Sequence, residues 1–347
     1  MNFRSDNVTG VAPEILAAVA AANAGSASSY GDDAVTKRLA QHFAALFEHA
    51  VEVFPVATGT AANALALATL VPSWGVVYCH EAAHIQVDEC GAPEFFAGGA
   101  KLLPLPGDDA RLRPEVVERA IAGHGVVHHA QPAAISISEA TEAGTLYRPE
   151  EIAALGALAR RHGLAFHMDG SRFANAVAAL GCSPAELSWR AGVDALSFGA
   201  TKNGALAAEA VIFFDPAKAK GFVYRRKRGG HLFSKMRFLS AQLEAYLADG
   251  LWLANARHAN AMAARLAEGL RAVPGARLDH PTEANEVFVT LPEPAIGAVE
   301  RAGFGFYRWG GDGSPALRLV TAFDTRAADV DALIAAARRG AAGESRG

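Results

Sequence analysis

The sequence predicts an α/β protein with a large domain built on a mostly parallel, doubly wound sheet, followed by a smaller C-terminal α+β domain. Three observations support this fold class. Strands alternate with helices over about 150 residues, which is typical of right-handed parallel β-α-β units. Two apolar runs, 164–166 and 193–196, lead into polar stretches, as expected of buried strands that end at a ligand-binding edge. After Pro274 and Gly275 the pattern changes to short strands flanked by helices.

The two polar stretches, 167–172 and 197–204, carry Asp169 and Lys202. An aspartate and a lysine at neighbouring strand ends suit the chemistry of pyridoxal 5'-phosphate (PLP). The lysine amine forms a Schiff base, and the aspartate pairs with the protonated pyridine nitrogen so that the ring can act as an electron sink. Either residue alone is more often a solvated surface charge. Their joint placement favours a PLP site with Lys202 as the covalent residue.

The first 50 residues read as an arm and two helices. Residues 1–10 lack periodicity and are predicted to be an extended arm. A helix begins at Pro13, a favoured first-turn residue, and ends before Gly25. The polar loop 28–33, which contains Tyr30, ends in aspartates that can cap a second helix with an apolar stripe over 35–47.

The next strand, 51–56, contains Pro55, which argues against a central position in the sheet. It runs into Thr58, Gly59 and Thr60, which open a helix. The free amides and the positive dipole end of a helix N-terminus favour a phosphate at this turn. The absence of a following Lys-Ser or Lys-Thr argues against a nucleotide P-loop.

The segment 80–84 matches the zinc-protease pattern His-Glu-x-x-His through His80, Glu81 and His84. In metalloproteases this pattern lies within one helix, so that both imidazoles share a face. Here it follows a strand, 75–79, directly, which predicts that His80 lies in a loop; Glu89 is the one obvious nearby oxygen ligand. We therefore favour no metal site and interpret His84 alone as an imidazole over a cofactor ring.

The following elements complete the predicted parallel sheet. A strand at 134–138 ends at 139–144, so Glu142 also reaches the ligand edge, although a surface turn is an equal alternative. The other expected elements are a strand at 102–105 and helices at 114–122, 149–162 and 173–180, the last two ended by Gly163 and Gly181.

The C-terminal part begins with a strand at 209–214 and a long helical region over 216–249. A helix at 253–273 precedes the small domain, whose expected strands are 287–289, 304–307 and 317–320, with helices near Pro294 and Asp329. We predict domains at 1–249 and 250–347, and a disordered tail at 341–347.

Bulk composition excludes several classes of protein. Hydrophobic residues make up 51% of the 347-residue chain, charged residues 20%, and the net charge is −4, which gives no electrostatic footprint for nucleic acid or acidic membranes. The basic run 225–228 is interpreted as a solvated helix face, with a phosphate or subunit contact as the alternative. Charges at Arg4 and Asp6, no membrane-length apolar run and three unpaired-looking cysteines predict a cytoplasmic protein.

Taken together, these residues resemble the low-specificity L-threonine aldolases, which are PLP enzymes of fold type I, the aspartate aminotransferase fold. Matching stretches are distributed over nearly the whole chain. They are 4–6, 30–33, 58–60, 83–84, 167–172, 201–204 and 317–320.

The resemblance implies a role for each matching residue. It implies Lys202 as the covalent lysine, Gly59 and Thr60 on the phosphate, His84 stacked on the ring, Asp169 on the pyridine nitrogen, Arg172 near the phenolic oxygen, Ser5 and Arg318 on the substrate carboxylate, and Tyr30 as a further substrate contact from a neighbouring subunit. An arginine can grip a carboxylate bidentately, which agrees with this assignment. Many relatives have a histidine where this chain has Glu142, which leaves the side-chain preference and the identity of the base open.

The expected activity is retro-aldol cleavage of L-threonine, L-allo-threonine or a related β-hydroxy-α-amino acid such as phenylserine to glycine and an aldehyde. The chain would then be a carbon–carbon lyase, expected to be a homotetramer. The alternatives are a PLP-dependent β-eliminating amino-acid lyase and, more remotely, a zinc hydrolase that uses His80, Glu81 and His84. The expected general bases are His84 first and Glu142 second.

Overall fold

The computed structural model describes residues 1–343 of the chain. Helices and strands are numbered in chain order. They are α1 (Pro13–Ala22), α2 (Ala34–Phe47), β1 (Glu52–Val56), α3 (Gly59–Leu70), β2 (Gly75–His80), α4 (His84–Val87), α5 (Ala92–Phe96), β3 (Lys101–Leu105), α6 (Pro114–Ala120), β4 (Gln131–Ser138), α7 (Pro149–His162), β5 (Ala165–Gly170), α8 (Phe173–Leu180), β6 (Ala195–Gly199), β7 (Glu209–Phe213), α9 (Phe222–Arg228), α10 (Arg237–Leu247), α11 (Leu251–Arg271), β8 (Arg277–Leu278), β9 (Glu286–Thr290), α12 (Glu293–Arg301), β10 (Tyr307–Arg308), β11 (Ala316–Val320) and α13 (Ala327–Ala341).

The large sheet has seven strands in the order β1-β7-β6-β5-β4-β2-β3. Every pair is parallel except those that β7 makes with β1 and β6. The carboxyl ends of the parallel strands and the amino end of β7 therefore meet at one edge. The predicted mostly parallel sheet is confirmed, and Pro55 lies in the edge strand β1, where a missing N–H is tolerated.

Helices cover both faces of this sheet, as a doubly wound fold requires. Alternate residues of β7 point to opposite faces: Ala210 and Ile212 pack into the cluster formed with α2, α7 and α8, whereas Val211 and Phe213 pack into the cluster formed with α3. Because both faces are buried, the strands are apolar on both sides rather than alternating.

A second sheet of four antiparallel strands has the order β10-β11-β9-β8. Its own hydrophobic cluster includes residues of α11, α12 and α13. The first turns of α11 pack in the large cluster through Trp252, whereas its later turns pack in the second cluster through Leu266. The predicted boundary after residue 249 falls just before this shared helix, and we retain it as a proposal.

The prediction that residues 1–10 form an extended arm was wrong in part. Residues Asp6–Val8 form a 3₁₀ turn, and Phe3 is buried in the second cluster. The arm is held by backbone hydrogen bonds from Phe3 to Gly305 at 2.7 Å and from Val320 to Phe3 at 2.8 Å. These contacts tie the arm to the second sheet of its own chain.

Three other sequence-based expectations differ from the structure. The region 216–249 is not one long helix, because Gly221 and Gly230 have left-handed φ values of 82° and 79° and separate a 3₁₀ turn, α9 and α10. The strand expected at 304–307 is reduced to β10, since Gly305 bonds to the arm instead. Of the predicted tail, Ala341 ends α13, and 344–347 lie outside the described residues.

Within residues 1–343, none of the helices combines the length and the apolar composition needed to cross a bilayer.

Candidate active site

A cavity of about 380 Å³ opens at the edge where the parallel strands end. Five residues that the sequence predicted for one site line it: Gly59, Thr60, His84, Asp169 and Lys202. They come from α3, α4, β5 and the turn after β6, so the sheet edge brings together residues that lie far apart in the sequence.

The N-terminus of α3 forms one wall of this cavity. Thr58 caps the helix, because its side-chain oxygen accepts a hydrogen bond from the amide of Ala61 at 3.2 Å. A Cβ atom built on Gly59 would meet no heavy atom within 4 Å, so the space in front of the first turn is open. The first amides of a 12-residue helix and the positive end of its dipole therefore face free space, which suits a phosphate.

Lys202 lies in a 3₁₀ turn, Thr201–Asn203, directly after β6. The turn is held from two sides: Asn203 Nδ2 donates to the hydroxyl of Tyr246 at 2.8 Å, and the amide of Ala200 donates to Glu209 Oε2 at 2.8 Å. Burial, followed by the positive charge of Arg172, lowers the pKa of Lys202. The amine is thus more often neutral than that of a solvated lysine, as a nucleophile needs to be.

Asp169 lies near the end of β5 with only 5% of its surface exposed. Its Oδ1 accepts a hydrogen bond from the amide of Ser171 at 3.0 Å, and its Oδ2 accepts one from Asn63 Nδ2 at 2.8 Å. Ser171 also accepts a hydrogen bond from Lys202 Nζ, at 3.3 Å, so the loop after β5 links the predicted carboxylate to the predicted nucleophile.

His84 begins α4 and projects its ring into the same cavity. Its Nδ1 is 2.8 Å from Glu89 Oε1. The hydrogen bond to Glu89 raises the pKa of His84, against the opposing effect of burial. Within residues 1–343, Nε2 of His84 has no hydrogen-bond partner, which leaves this nitrogen free to act as an acid or base.

Comparisons with known proteins agree with this site. A family model described as β-eliminating lyase matches residues 2–293. A low-specificity L-threonine aldolase of Pseudomonas aeruginosa is 48% identical over 323 residues, which cover 93% of this chain and 93% of that protein. The chain belongs to the low-specificity L-threonine aldolase family. Enzymes of this family depend on PLP.

Solved structures confirm the fold. The chain superposes on a threonine aldolase of Leishmania major with a TM-score of 0.91 at 28% identity, covering 97% of this chain and 98% of that one. An aspartate aminotransferase of Rhodobacter sphaeroides gives a TM-score of 0.73 at 20% identity, with 99% and 93% of the two chains covered, and supports the fold alone. Fold type I, predicted from the resemblance to threonine aldolases, is confirmed.

The two arginines assigned from the threonine aldolase resemblance lie in a buried charge network. Arg172 donates through Nε and Nη2 to the carboxylate of Asp6, at 2.8 and 3.1 Å, and its Nη1 lies 3.1 Å from Glu286. Arg318 pairs with the same Glu286. Burial alone would lower the pKa of Arg172, but Asp6 and Glu286 raise it overall. Ser5 caps the turn that carries Asp6, accepting a hydrogen bond from the amide of Asn7 at 3.1 Å.

The His-Glu-x-x-His segment of this chain, residues 80–84, does not form one continuous helix. His80 is the last residue of β2, so the prediction that it lies in a loop was wrong. Its Nδ1 accepts a hydrogen bond from the amide of Ala82 at 3.0 Å, and its Nε2 lies 2.9 Å from the carbonyl of Gly107. Both nitrogens are therefore engaged with the backbone. Across residues 1–343, one group of three candidate metal ligands lies together, namely His84, Glu89 and Asp169, and hydrogen bonds to one another and to Asn63 join these residues.

Glu142 lies beside His84 and accepts a hydrogen bond from its backbone amide, not from its ring. Its Oε1 accepts hydrogen bonds from the amide of His84 at 2.8 Å and from Ser138 Oγ at 2.5 Å, whereas its Oε2 is buried without a partner. Burial raises the pKa of Glu142 to about 7. A carboxyl with this pKa can exchange a proton near neutral pH.

Tyr30 is the one predicted site residue that lies on the surface of the single chain. Half of it is exposed, and its ring lies 4.6 Å from Lys227 Nζ of the basic run. It does not line the cavity, so its predicted contact with a neighbouring active site stays a prediction.

The sequence analysis of this chain did not identify several residues of the site. Asn63 and Glu209 line the cavity, and Asp6 and Glu286 surround Arg172. Asn63 had a detectable signal, because it lies three positions after Thr60 on the same helix and hence on the same side. Glu286 had none, since the second sheet places it against Arg172 only in the folded chain.

Proposed function

We propose that this chain uses PLP to cleave L-threonine, L-allo-threonine or a related β-hydroxy-α-amino acid, such as phenylserine, to glycine and an aldehyde. The observation that carries the proposal is the shared cavity of about 380 Å³, onto which Lys202, Asp169 and the N-terminus of α3 all open. The lysine amine, the carboxylate and the anion site around one cavity match the aldehyde, the pyridine nitrogen and the phosphate of PLP.

The residues present fit the cofactor. Gly59 and Thr60 would hold the phosphate at the open first turn of α3, Asp169 would pair with the pyridine nitrogen, and Lys202 would hold the cofactor covalently. His84 would cover the ring, and Arg172 would lie near the phenolic oxygen. When bound, PLP supplies an electron sink for the charge left at Cα after bond cleavage.

Cleavage of the Cα–Cβ bond also requires removal of the proton from the β-hydroxyl group. We assign this step to Nε2 of His84, because the other ring nitrogen is occupied by Glu89. Glu142 is the second candidate, since its buried carboxyl has a pKa of about 7 and its Oε2 lacks a partner. General-base catalysis typically contributes about 10² to 10⁴ in rate.

The substrate carboxylate would be held by Arg318 with Ser5. This contact would fix the rotation about the substrate's N–Cα bond. It would therefore decide which bond at the substrate's Cα is positioned for cleavage. Arg318 is 18% exposed and is held by Glu286, so its guanidinium is already oriented before substrate binds.

One alternative has an observation in its favour. The matching family model is described as β-eliminating lyase, which keeps elimination from the β-carbon open as the reaction of this same site. The zinc hydrolase alternative is disfavoured, because both ring nitrogens of His80 are engaged with backbone groups.

Product analysis separates these activities. The purified protein with PLP is incubated with L-threonine, L-allo-threonine, L-serine and phenylserine. Glycine and acetaldehyde from L-threonine would support the aldolase proposal. Ammonia and 2-oxobutanoate without glycine would replace it with elimination.

We also propose a cytoplasmic homotetramer in which Tyr30 and the basic run approach the active site of a neighbouring subunit. Tyr30 and Tyr224, which are 50% and 79% exposed, give the surface near the basic run an aromatic character that favours protein contacts. The free thiols of Cys79, Cys90 and Cys182 agree with a reducing compartment.

A further inference from the structure

Asn63 connects two acidic residues that belong to different elements of the site. Its Nδ2 donates to Glu89 Oε1 at 2.8 Å and to Asp169 Oδ2 at 2.8 Å. Asn63 lies on α3 and Asp169 on β5, whereas Glu89 lies in the turn between α4 and α5. One amide group therefore bridges three separate parts of the chain.

The orientation of this amide is fixed by its neighbours. Both neighbours are carboxylate oxygens, which accept hydrogen bonds, so the NH₂ group must face them. A flipped amide would place its oxygen against two carboxylates. All three residues of this bridge are buried, with 1% of Asn63, 3% of Glu89 and 5% of Asp169 exposed. Buried carboxyl groups that are close together are costly unless they are hydrogen-bonded, and the amide gives each of them one hydrogen bond, although within residues 1–343 Glu89 Oε2 is buried without a partner.

Glu89 extends the bridge to His84. The same Oε1 that accepts from Asn63 lies 2.8 Å from Nδ1 of His84. This contact fixes the plane of the imidazole and places the proton on Nδ1, which leaves Nε2 directed away from Glu89. The four residues are thus joined by consecutive hydrogen bonds in the order His84, Glu89, Asn63 and Asp169.

We propose that Asn63 and Glu89 are positioning residues that hold the imidazole of His84 and the carboxylate of Asp169 in one hydrogen-bonded unit. The unit sets the acid–base behaviour of His84 through Glu89, and the amide of Asn63 joins the carboxyl groups of Glu89 and Asp169. The inference rests on the proposed function only for the roles of His84 and Asp169, not for the linkage itself.

The charges around His84 determine in which direction its pKa should change when Glu89 or Asn63 is replaced. Glu89 and Asp169 raise the pKa of His84, burial and Lys202 lower it, and Glu142 faces its backbone amide. Glu89→Gln removes the negative charge that Nδ1 contacts, so the pKa of His84 falls. Asn63→Leu should change the pKa of His84 in the same direction. Burial raises the pKa of Glu89 and the Asn63 hydrogen bond opposes this, so loss of that bond favours a protonated, neutral Glu89.

The first experiment measures this effect without using turnover. Diethyl pyrocarbonate acylates neutral imidazole, and peptide mass spectrometry follows its reaction with His84 as a function of pH in the purified, PLP-loaded protein. The midpoint, which is the pH at which the acylation rate of His84 is half its maximum, should be lower in Glu89→Gln and in Asn63→Leu than in the wild type. The matched control is Asn175→Leu, because Asn175 is also a buried asparagine, 3% exposed, and bonds to Asn260 outside the cavity. An unchanged midpoint in Glu89→Gln would overturn the proposal, and this isosteric variant decides the question if Asn63→Leu does not fold.

The second experiment tests whether the two residues act as a unit. Each single variant should lower kcat by about 10-fold to 100-fold, which is part of the roughly 10² to 10⁴ that general-base catalysis by His84 would contribute. The double variant should be no worse than the poorer single variant, since residues in one unit are non-additive. Multiplicative losses would contradict the unit. If the wild-type protein has no aldolase activity, the proposed function fails, and the acylation midpoints still decide the inference.

Discussion

One oxygen of Glu286 holds the guanidinium of Arg318 in place: Nε and Nη2 both donate to Oε1, at 3.0 and 2.7 Å. Arg318 also packs over the ring of Trp309, with 5.5 Å between its Cζ atom and the ring centroid. Within residues 1–343, Nη1 of Arg318 makes no hydrogen bond. The edge of the guanidinium that Glu286 leaves free is therefore available for a carboxylate, and its direction is set in advance.

Arg318→Lys should raise the KM for L-threonine about 10-fold or more, because a point charge cannot reproduce a bidentate contact and hydrogen bonds to charged groups contribute roughly 1.5–3 kcal/mol. kcat should also fall, since the same contact aligns the bond to be broken. Steady-state kinetics measure both constants. Arg308→Lys is the control, because Arg308 lies on the neighbouring strand and pairs with Glu293 on the surface. A KM unchanged from wild type in a folded Arg318→Lys variant would remove Arg318 from substrate binding.

Lys202→Ala should abolish both the visible absorbance band of the covalently bound cofactor and turnover, because the remaining residues of the cavity supply no other amine. Lys218→Ala is the control: Lys218 pairs with Asp194, away from the cavity. Borohydride reduction followed by peptide mass spectrometry locates the modified residue. A cofactor band that borohydride still fixes to the Lys202→Ala chain would show that another residue is the covalent one.

The sequence predicted well those parts of the site that end buried strands or begin helices. Asp169 and Lys202 follow apolar runs, and Gly59 and Thr60 open a helix, so local pattern alone placed them at the sheet edge. The helices 149–162 and 173–180 were predicted at their observed bounds, because Gly163 and Gly181 adopt the left-handed conformation that ends them.

The rest of the site depends on contacts between distant parts of the chain. Asp6 meets Arg172 only because the N-terminal arm is bonded to Gly305 and Val320, and Glu286 reaches both arginines from the second sheet. No local pattern reports such pairs. His80 was predicted to lie in a loop but is the last residue of β2. Pairing with Leu105 of β3 extends the strand to this residue, and the local sequence does not report that pairing.

The segment His80–His84 should hold no zinc. Its histidines belong to different elements, and the nitrogens of His80 bond to Gly107 and Ala82. Elemental analysis of the purified protein should give substoichiometric zinc, and dialysis against a chelator should leave turnover unchanged when PLP is present. Activity that is lost to the chelator and restored by zinc would contradict this prediction.

Two buried carboxyls should make the protein less stable as the pH rises. Burial raises the pKa of Glu142 and of Glu209 to about 7 in the folded chain, from an ordinary value of 4.5. Between these values the folded state retains protons that the unfolded state releases, so the free energy of unfolding falls as pH rises from about 4.5 to 7 and then levels off. Each group contributes at most about 3 kcal/mol to this fall.

Urea unfolding at several pH values between 4.5 and 8 measures this dependence. The slope of the unfolding free energy against pH should be smaller in Glu142→Gln and in Glu209→Gln than in wild type. Glu115→Gln, which changes an exposed carboxyl of α6, should leave the slope unchanged. Equal slopes in wild type and both buried variants would mean that these carboxyls ionise normally in the folded protein.

The last prediction concerns Tyr30, which lies outside the cavity of its own chain and should serve the active site of a neighbour. Tyr30→Ala and Lys202→Ala should each be inactive alone. When the two chains are co-expressed, a hybrid assembly contains sites in which Lys202 of one subunit meets an intact Tyr30 of the other. Random pairing in a two-fold symmetric unit then restores about a quarter of the wild-type turnover. If Tyr30 instead acts within its own subunit, every site in the hybrid lacks one of the two residues and turnover stays absent. Light scattering on the same samples should show an oligomer, because an active monomer at all concentrations could not complement in this way.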